Sequence, residues 1–79
     1  MAELKQTLID IAKSIVDDPD SVVVAGSDEG KDVNLTLNVA PDDMGKVIGK
    51  HGKIARAIRM VMKSAANLDS KKVNVDIKD

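Results

Sequence analysis

The stretch that decides the fold is MGKVIGKHGKIARAIRMVMKSAA, residues 44–66. The whole chain has 12 basic and 13 acidic residues. This stretch carries six of the basic residues and no acidic one, so its charge is +6 and the remaining residues sum to 6 minus 13, or −7. Half of the positive charge therefore lies around two glycines in a G-x-x-G arrangement, Gly49 and Gly52. The six basic residues are Lys46, Lys50, Lys53, Arg56, Arg59 and Lys63.

The two glycines are predicted to join two helices. The segment APDD, residues 40–43, favours a helix start, because proline is tolerated in the first turn and the helix dipole stabilises aspartates there. This helix is short, since Gly49 follows soon after. A second helix is predicted over residues 53–67, with its basic side chains opposite an apolar stripe. The stripe is predicted to consist of Ile54, Ile58, Val61 and Ala65, extended by Leu68.

The rest of the chain predicts a further helix and three strands. Apolar residues at helical spacing predict a first helix that ends at Asp18-Pro19, because proline disfavours the helical conformation of the preceding residue. Residues 21–26 and 33–39 are predicted to form a β-hairpin around the turn 27–32, and alternation predicts a last strand over 73–78. The apolar residues at helical spacing are Leu4, Leu8, Ile11, Ala12 and Ile15. The apolar residues that alternate with polar ones are Val33, Leu35, Leu37, Val39, Val73, Val75 and Ile77.

The element order α-β-β-α-α-β predicts an α+β fold. Alternating strands give a sheet with one buried and one wet face, and three helices on the buried face give a two-layer sandwich. If the last strand pairs beside residues 33–39, the helical connection makes that pair parallel and the three-stranded sheet mixed.

The composition narrows the functional classes. Seventy-nine residues with 43% hydrophobic content predict one domain, residues 1–79, with a single small core. The chain has no cysteine, no long apolar run and no signal-peptide pattern at its start, so we expect a cytoplasmic protein. It also lacks Phe, Trp and Tyr, which excludes base recognition by aromatic stacking.

The segment GKHG has the chemistry of a phosphate contact. Glycines permit positive φ and a close approach of another backbone, and the amides that begin the following helix favour an anion. Lys50 and His51 fill the two x positions, and Lys46 and Lys53 flank them. A bare G-x-x-G is also compatible with an ordinary turn that carries solvated lysines.

The longer pattern VIGKHGKI, residues 47–54, resembles the KH domain of RNA-binding proteins, whose signature is an I-G-x-x-G loop between two helices. The element order is similar to that of the type II, bacterial form. The commoner pattern has an apolar residue such as isoleucine three positions after the second glycine, where this chain has Ala55. With IVDDPDSVVV and VAPDDMGKVIGKHGKIARAIR, the chain resembles the small bacterial single-KH-domain (KhpA-like) family over nearly its whole length.

The resemblance implies single-stranded RNA binding at the GKHG loop and an adjoining groove, with strand 33–39 as the opposite wall. It also implies an RNA-chaperone role, a homodimer, pairing with a larger KH-containing (Jag-like) protein, and a link to cell shape and cell-wall control. Ile48 and Ile54 are expected either on the groove floor or in the core, and Arg59 and Lys63 either on RNA or only in solvent. The expected RNA-binding residues are Lys46, Ile48, Gly49, Lys50, His51, Gly52, Lys53, Ile54, Arg56 and Arg59.

Other chemistries fit the sequence poorly. The spacing around Gly45 and Gly49 is not that of a Walker A loop, and one histidine without cysteine makes no usual zinc site. The acidic cluster of residues 17–20 lacks the spacing of a calcium loop. We therefore expect no enzyme activity, cofactor or metal. The alternative function is a dimerisation module with weak or no RNA binding, for which an exposed Met60 would suit a protein partner.

Overall fold

The computed structural model describes residues 3–27 and 29–78, and over these residues it has the predicted order of helices and strands. The helices are α1 (Leu4–Ile15), α2 (Met44–Ile48) and α3 (Lys53–Leu68), and the strands are β1 (Val23–Ser27), β2 (Asp32–Asn38) and β3 (Lys72–Lys78). Short 3₁₀ turns lie at Pro19–Ser21, Pro41–Asp43 and Lys50–Gly52. The α+β class and the type II KH order predicted from the sequence are confirmed.

The sheet has the order β1-β2-β3, with β2 in the centre. β1 and β2 form the predicted antiparallel hairpin, and β3 runs parallel to β2 with Val33 opposite Val73 and Leu35 opposite Val75. The sheet is therefore mixed, as predicted. Because both edges of β2 are paired, the strand that presents an edge on the α3 side is β3.

The core lies between the sheet and the helices. Alternate residues of β2 and β3 face it, and the apolar side of α1 covers them, as the spacing of both elements requires. Burying a leucine or valine side chain contributes about 1.5–3 kcal/mol, so these aliphatic contacts supply the main stabilisation of a core that has no aromatic ring. Its largest fully buried side chains are Leu4, Leu8, Leu35, Leu37, Met62, Val33 and Val47.

The buried face of α3 differs from the predicted stripe by a rotation of one residue position. Val61 is 51% exposed and Leu68 is 84% exposed, although both were predicted to face the core. Helix α3 has two apolar stripes, and the one that contains two alanines is packed inward, since small side chains allow a helix to lie close to its neighbours. The residues buried on α3 are Ala55, Ile58, Met62 and Ala66.

Candidate nucleic-acid interface

The GKHG loop reverses the chain between α2 and α3 through three residues with positive φ. Gly49 has φ 74° and ψ 172°, His51 has φ 58°, and Gly52 has φ 73°. The Gly49 N–H donates to the Gly45 carbonyl at 2.9 Å, and the Gly52 N–H donates to the Gly49 carbonyl at 3.1 Å. Both glycines thus adopt the positive φ that glycine permits, and the loop is held by its own backbone hydrogen bonds.

The two glycines have different surroundings. A Cβ at Gly49 would lie 2.3 Å from Cγ1 of Ile54, whereas a Cβ at Gly52 would meet no heavy atom within 4 Å. Gly49 is thus required for packing as well as for conformation, because the Ile54 side chain lies directly against it. Gly52 borders open space, where another backbone can approach the loop.

The cationic side chains of the loop lie on the open side. Lys50, His51 and Lys53 are exposed, and the first turn of α3 contains no acidic residue. No side chain caps the amides of this helix N-terminus, where the N-cap residue is Gly52. The Lys53 N–H donates to the Lys50 carbonyl, and the positive end of the helix dipole favours an anion at this position.

Two isoleucines border the loop and are partly exposed. Ile48 and Ile54 each have 38% of their surface exposed, while the neighbouring Val47 and Ala55 take the buried positions. The alternative in which both isoleucines are core residues is therefore excluded. Because Ala55 fills the position that is isoleucine in the commoner KH pattern, Ile54 supplies the apolar surface next to the loop.

Lys46 lies apart from the other loop cations. Its Nζ donates a hydrogen bond to the Asp17 carboxylate in an ion pair, and this bond raises the pKa of Lys46 above its ordinary value. The same corner is fixed by the buried Asp43 carboxylate, which accepts the Asp17 and Asp18 amides at 3.2 Å and 3.1 Å. The sequence predicted Lys46 as a phosphate contact, and the structure places its ammonium group on the turn after α1.

The basic face of α3 meets the edge of β3. The Arg59 Nε donates to the Val75 carbonyl at 3.1 Å, and a cavity of about 450 Å³ lies beside this contact. Arg59 and Lys63 line it from α3, residues 73–76 line it from β3, and Asn34 lines it from β2. Arg56, Arg59 and Lys63 are all exposed, as predicted.

This arrangement adds β3 to the strand that was predicted to border the groove. The sequence predicted strand 33–39 as the wall, and in the structure Asn34 of that strand and residues 73–76 of β3 line the cavity beside the basic face of α3. Asn74 and Asp76 of β3 are site candidates that the sequence reasoning missed. The α-helical connection to a parallel last strand was the available signal, because it places the last strand next to the helix that precedes it.

Within residues 3–27 and 29–78, no group of three or more His, Cys, Asp or Glu residues is arranged to hold a metal ion. The helices found there are also too short or too polar to cross a membrane.

Comparison with known proteins identifies the family. The family profile for the KhpA/KhpB KH domain matches residues 5–77. The chain belongs to the KhpA/KhpB KH-domain family. No solved structure gives a significant match.

The relatives in this family are similar over almost their whole length. The RNA-binding protein KhpA of Clostridium acetobutylicum is 54% identical over 74 residues, which cover 94% of this chain and 99% of that protein. The proteins of the same name from Caldanaerobacter subterraneus subsp. tengcongensis and Halalkalibacterium halodurans are 49% and 47% identical. The matched region covers 99% of each of these two proteins. It covers 98% of this chain in the first comparison and 94% in the second.

Proposed function

We propose that residues 1–79 act as a single KH domain that binds single-stranded RNA at the GKHG loop and the groove beside it. The observation that carries the proposal is the open approach at Gly52, surrounded by exposed Lys50, His51 and Lys53 at the uncapped start of α3. A KH loop of this type clamps about four backbone nucleotides. The names of the relatives, which are RNA-binding proteins, support the same function.

Each part of this surface has a distinct role in the proposed complex. Lys50, Lys53 and Arg56 contact phosphates, which positions the strand without reading its sequence. The amides that begin α3 complete the anion site. Ile48 offers the apolar surface for bases, Ile54 packs against Gly49 of the loop, and Arg59 extends the basic face toward β3. Lys46 joins the contacts only when its ammonium leaves Asp17. No step of this account involves catalysis, and the proposed role is binding.

The test replaces the loop cations without touching the glycines. Lys50→Asp/His51→Asp keeps Gly49 and Gly52, so we expect an unchanged circular dichroism spectrum and melting temperature. Phosphate attraction becomes repulsion at the point of closest approach, so RNA affinity measured by fluorescence anisotropy should be lost. The matched control, Lys13→Glu/Ser14→Glu, makes the same charge change on exposed positions of α1 and should keep RNA binding. A folded loop variant that binds RNA like the wild type would refute this site.

The second stripe of α3 favours an additional role in dimerisation. Ile54, Val61 and Leu68 are spaced by seven residues, so they lie along one exposed line of the helix. In an antiparallel pair of α3 helices with Val61 on the two-fold axis, Ile54 of one copy meets Leu68 of the other, so the surface is self-complementary. We propose that this α3 stripe (Ile54, Val61 and Leu68) forms a homodimer, and that a larger KH-containing (Jag-like) protein competes for it.

The dimerisation proposal has its own test. Val61→Lys places charges against each other at the two-fold axis, so sedimentation analysis should show a monomer with an unchanged circular dichroism spectrum. The control Ser14→Lys adds the same charge at an exposed position of α1, away from α3, and should remain dimeric. If the wild-type chain forms a stable dimer that does not bind RNA, and Lys50→Asp/His51→Asp does not change that dimer, dimerisation is the main function. A wild-type chain that is monomeric at high concentration would contradict the homodimer.

The family resemblance supports a wider cellular proposal. We propose that the protein acts in the cytoplasm as an RNA chaperone or post-transcriptional regulator with its KH-containing partner, in a pathway that affects cell shape and cell-wall synthesis. Crosslinking to cellular RNA followed by sequencing, in wild-type and Lys50→Asp/His51→Asp cells, tests this role. Identical crosslinked RNA in both strains would contradict it.

A further inference from the structure

A second basic concavity lies at the end of α3 farthest from the GKHG loop. It has a volume of about 260 Å³, and its wall includes three lysines and two asparagines but no carboxylate. We call this surface the basic shoulder and define it by Lys63, Asn67, Lys71, Lys72 and Asn74. Its donors are ammonium and amide groups, which suit phosphodiester oxygens.

The basic shoulder is continuous with the surface next to the loop. Lys63 lines the shoulder, the cavity beside Arg59 and β3, and a third concavity that begins at Arg56. Val73 and Asn74 are shared between the shoulder and the cavity beside β3. An RNA strand that leaves the loop along α3 therefore passes Arg56, Arg59 and Lys63 before it reaches the shoulder, and Asp76 is the acidic residue that lines the connecting cavity.

The backbone holds the shoulder lysines in fixed positions. Helix α3 ends in a Schellman motif, in which the Ser70 N–H donates to the Asn67 carbonyl at 3.1 Å and the Lys71 N–H donates to the Ala66 carbonyl at 2.9 Å. The Lys72 N–H donates to the Lys31 carbonyl at 2.7 Å, which joins this turn to the start of β2. The lysines are thus carried by a bonded turn rather than by a loose loop.

The nearby acidic groups leave the shoulder positive. Asp32 lies opposite Lys72 in the sheet register and is exposed. Asp69 belongs to the turn, but its Oδ2 atom is buried and the residue does not line the concavity. Lys31 adjoins Asp32 in the chain, so the cationic side chains around the turn exceed the acidic ones.

From this continuity we propose that the basic shoulder is a second RNA subsite, which binds phosphates of the same strand beyond the nucleotides clamped by the GKHG loop. The inference rests on the proposed RNA-binding function and extends it. It assigns the protein a longer binding track than the loop and its groove provide. Since lysine contacts to phosphate carry no sequence information, the shoulder adds affinity and length dependence without adding sequence preference.

The test uses the full-length chain and single-stranded uridine oligonucleotides of two lengths, about four and about ten nucleotides. Affinity is measured by fluorescence anisotropy over a salt series. Lys71→Gln/Lys72→Gln should leave binding of the short oligonucleotide unchanged and weaken the long one severalfold. For the long oligonucleotide, the slope of log affinity against log salt concentration should become less steep by about 1.4, or about 0.7 for each lost phosphate contact. The control Lys5→Gln/Lys13→Gln removes the same charge from α1 and should change neither oligonucleotide.

The outcomes separate this inference from the function on which it rests. A long oligonucleotide that binds the shoulder variant with wild-type affinity and salt slope would overturn the subsite and leave loop binding intact. Equal losses for both lengths, or an equal loss in the α1 control, would also overturn it, because the effect would then be general charge or folding. Failure of the wild-type chain to bind either oligonucleotide would overturn the proposed function and the subsite together.

Discussion

At the scale of single residues, the GKHG loop shows why two glycines of one motif are not equivalent. Gly49 lies at φ 74° and ψ 172°, a conformation that only glycine adopts readily, and Ile54 closes the space around it. Gly52 lies in the left-handed helical region and faces open space. The first glycine holds the fold of the loop, and the second keeps its surface accessible.

The difference predicts two separable effects of alanine substitution. Gly49→Ala should lower the free energy of unfolding by about 3 kcal/mol, the upper end of the cost of a strained backbone, because it adds a clash with Ile54. Gly52→Ala should cost only about 1–2 kcal/mol, the penalty for a left-handed residue with a side chain. Urea denaturation of both variants measures this. Equal losses of stability would contradict the assigned roles.

The ion pair between Lys46 and Asp17 allows a second prediction at this scale. Asp17→Ala removes a carboxylate and frees the Lys46 ammonium, so RNA affinity should rise severalfold and its salt slope should steepen by up to about 0.7. The double variant Asp17→Ala/Lys46→Ala controls for the lost acidic charge and should show the same slope as the wild type. If Asp17→Ala leaves the slope unchanged, Lys46 does not contact phosphate.

At the scale of elements, α3 presents three faces with different surroundings. Its alanine-containing stripe packs on the core, its basic face borders β3, and the α3 stripe of Ile54, Val61 and Leu68 stays exposed. The helix ends at Leu68, and Ser70 has φ 57° in the Schellman motif that follows it. Glycine is the usual residue at this position, since a side chain costs about 1–2 kcal/mol in the left-handed region.

Ser70→Gly is therefore expected to stabilise the protein. The relief of left-handed strain, reduced by the greater backbone entropy of glycine in the unfolded chain, should raise the free energy of unfolding by roughly 0.5–1 kcal/mol. Ser64→Gly, at an exposed position inside α3, is the matched control and should lower it by roughly 0.5–1 kcal/mol. Thermal and urea unfolding measure both effects. If both substitutions destabilise the protein, the end of α3 is not strained at Ser70.

At the scale of the whole molecule, the distribution of charge matters more than its total. The net charge is −1, but five of the six basic residues of 44–66 lie along α3 and its preceding loop, and the sixth, Lys46, lies on α2. This permits local attraction to phosphate in a protein that has little overall attraction for nucleic acid. The chain also lacks the aromatic rings on which bases stack, an interaction worth about 1–3 kcal/mol per base.

These features predict modest affinity for each domain and a gain from dimerisation. We expect the monomeric Val61→Lys variant to bind a ten-nucleotide RNA with micromolar affinity, and the dimeric wild type to bind a long RNA more tightly through two linked sites. Fluorescence anisotropy with short and long RNA measures the difference. Nanomolar binding by a proven monomer would show that the proposed contacts omit a major source of binding energy.

The sequence by itself determined the order of elements, the faces of β2 and β3, and the GKHG loop between two helices. These features depend on neighbouring residues: alternation places Val33 and Leu35 on one face, and positive φ at Gly49 and Gly52 follows from local sterics. The resemblance of VIGKHGKI to the KH signature then correctly indicated the family, because the motif and the local structure that it needs lie in one short segment.

Only the tertiary structure decided which stripe of α3 is buried, which residues of β3 line the cavity beside α3 and which partner Lys46 has. Val61 and Met62 are both apolar, so helical periodicity allowed either stripe, and packing against the sheet selected the one with Ala55 and Ala66. The lining of the cavity depends on how β3 lies against α3, and the ion pair joins Lys46 to Asp17, 29 positions away in the chain. The buried stripe and the ion pair depend on contacts between distant segments, which local sequence patterns do not specify.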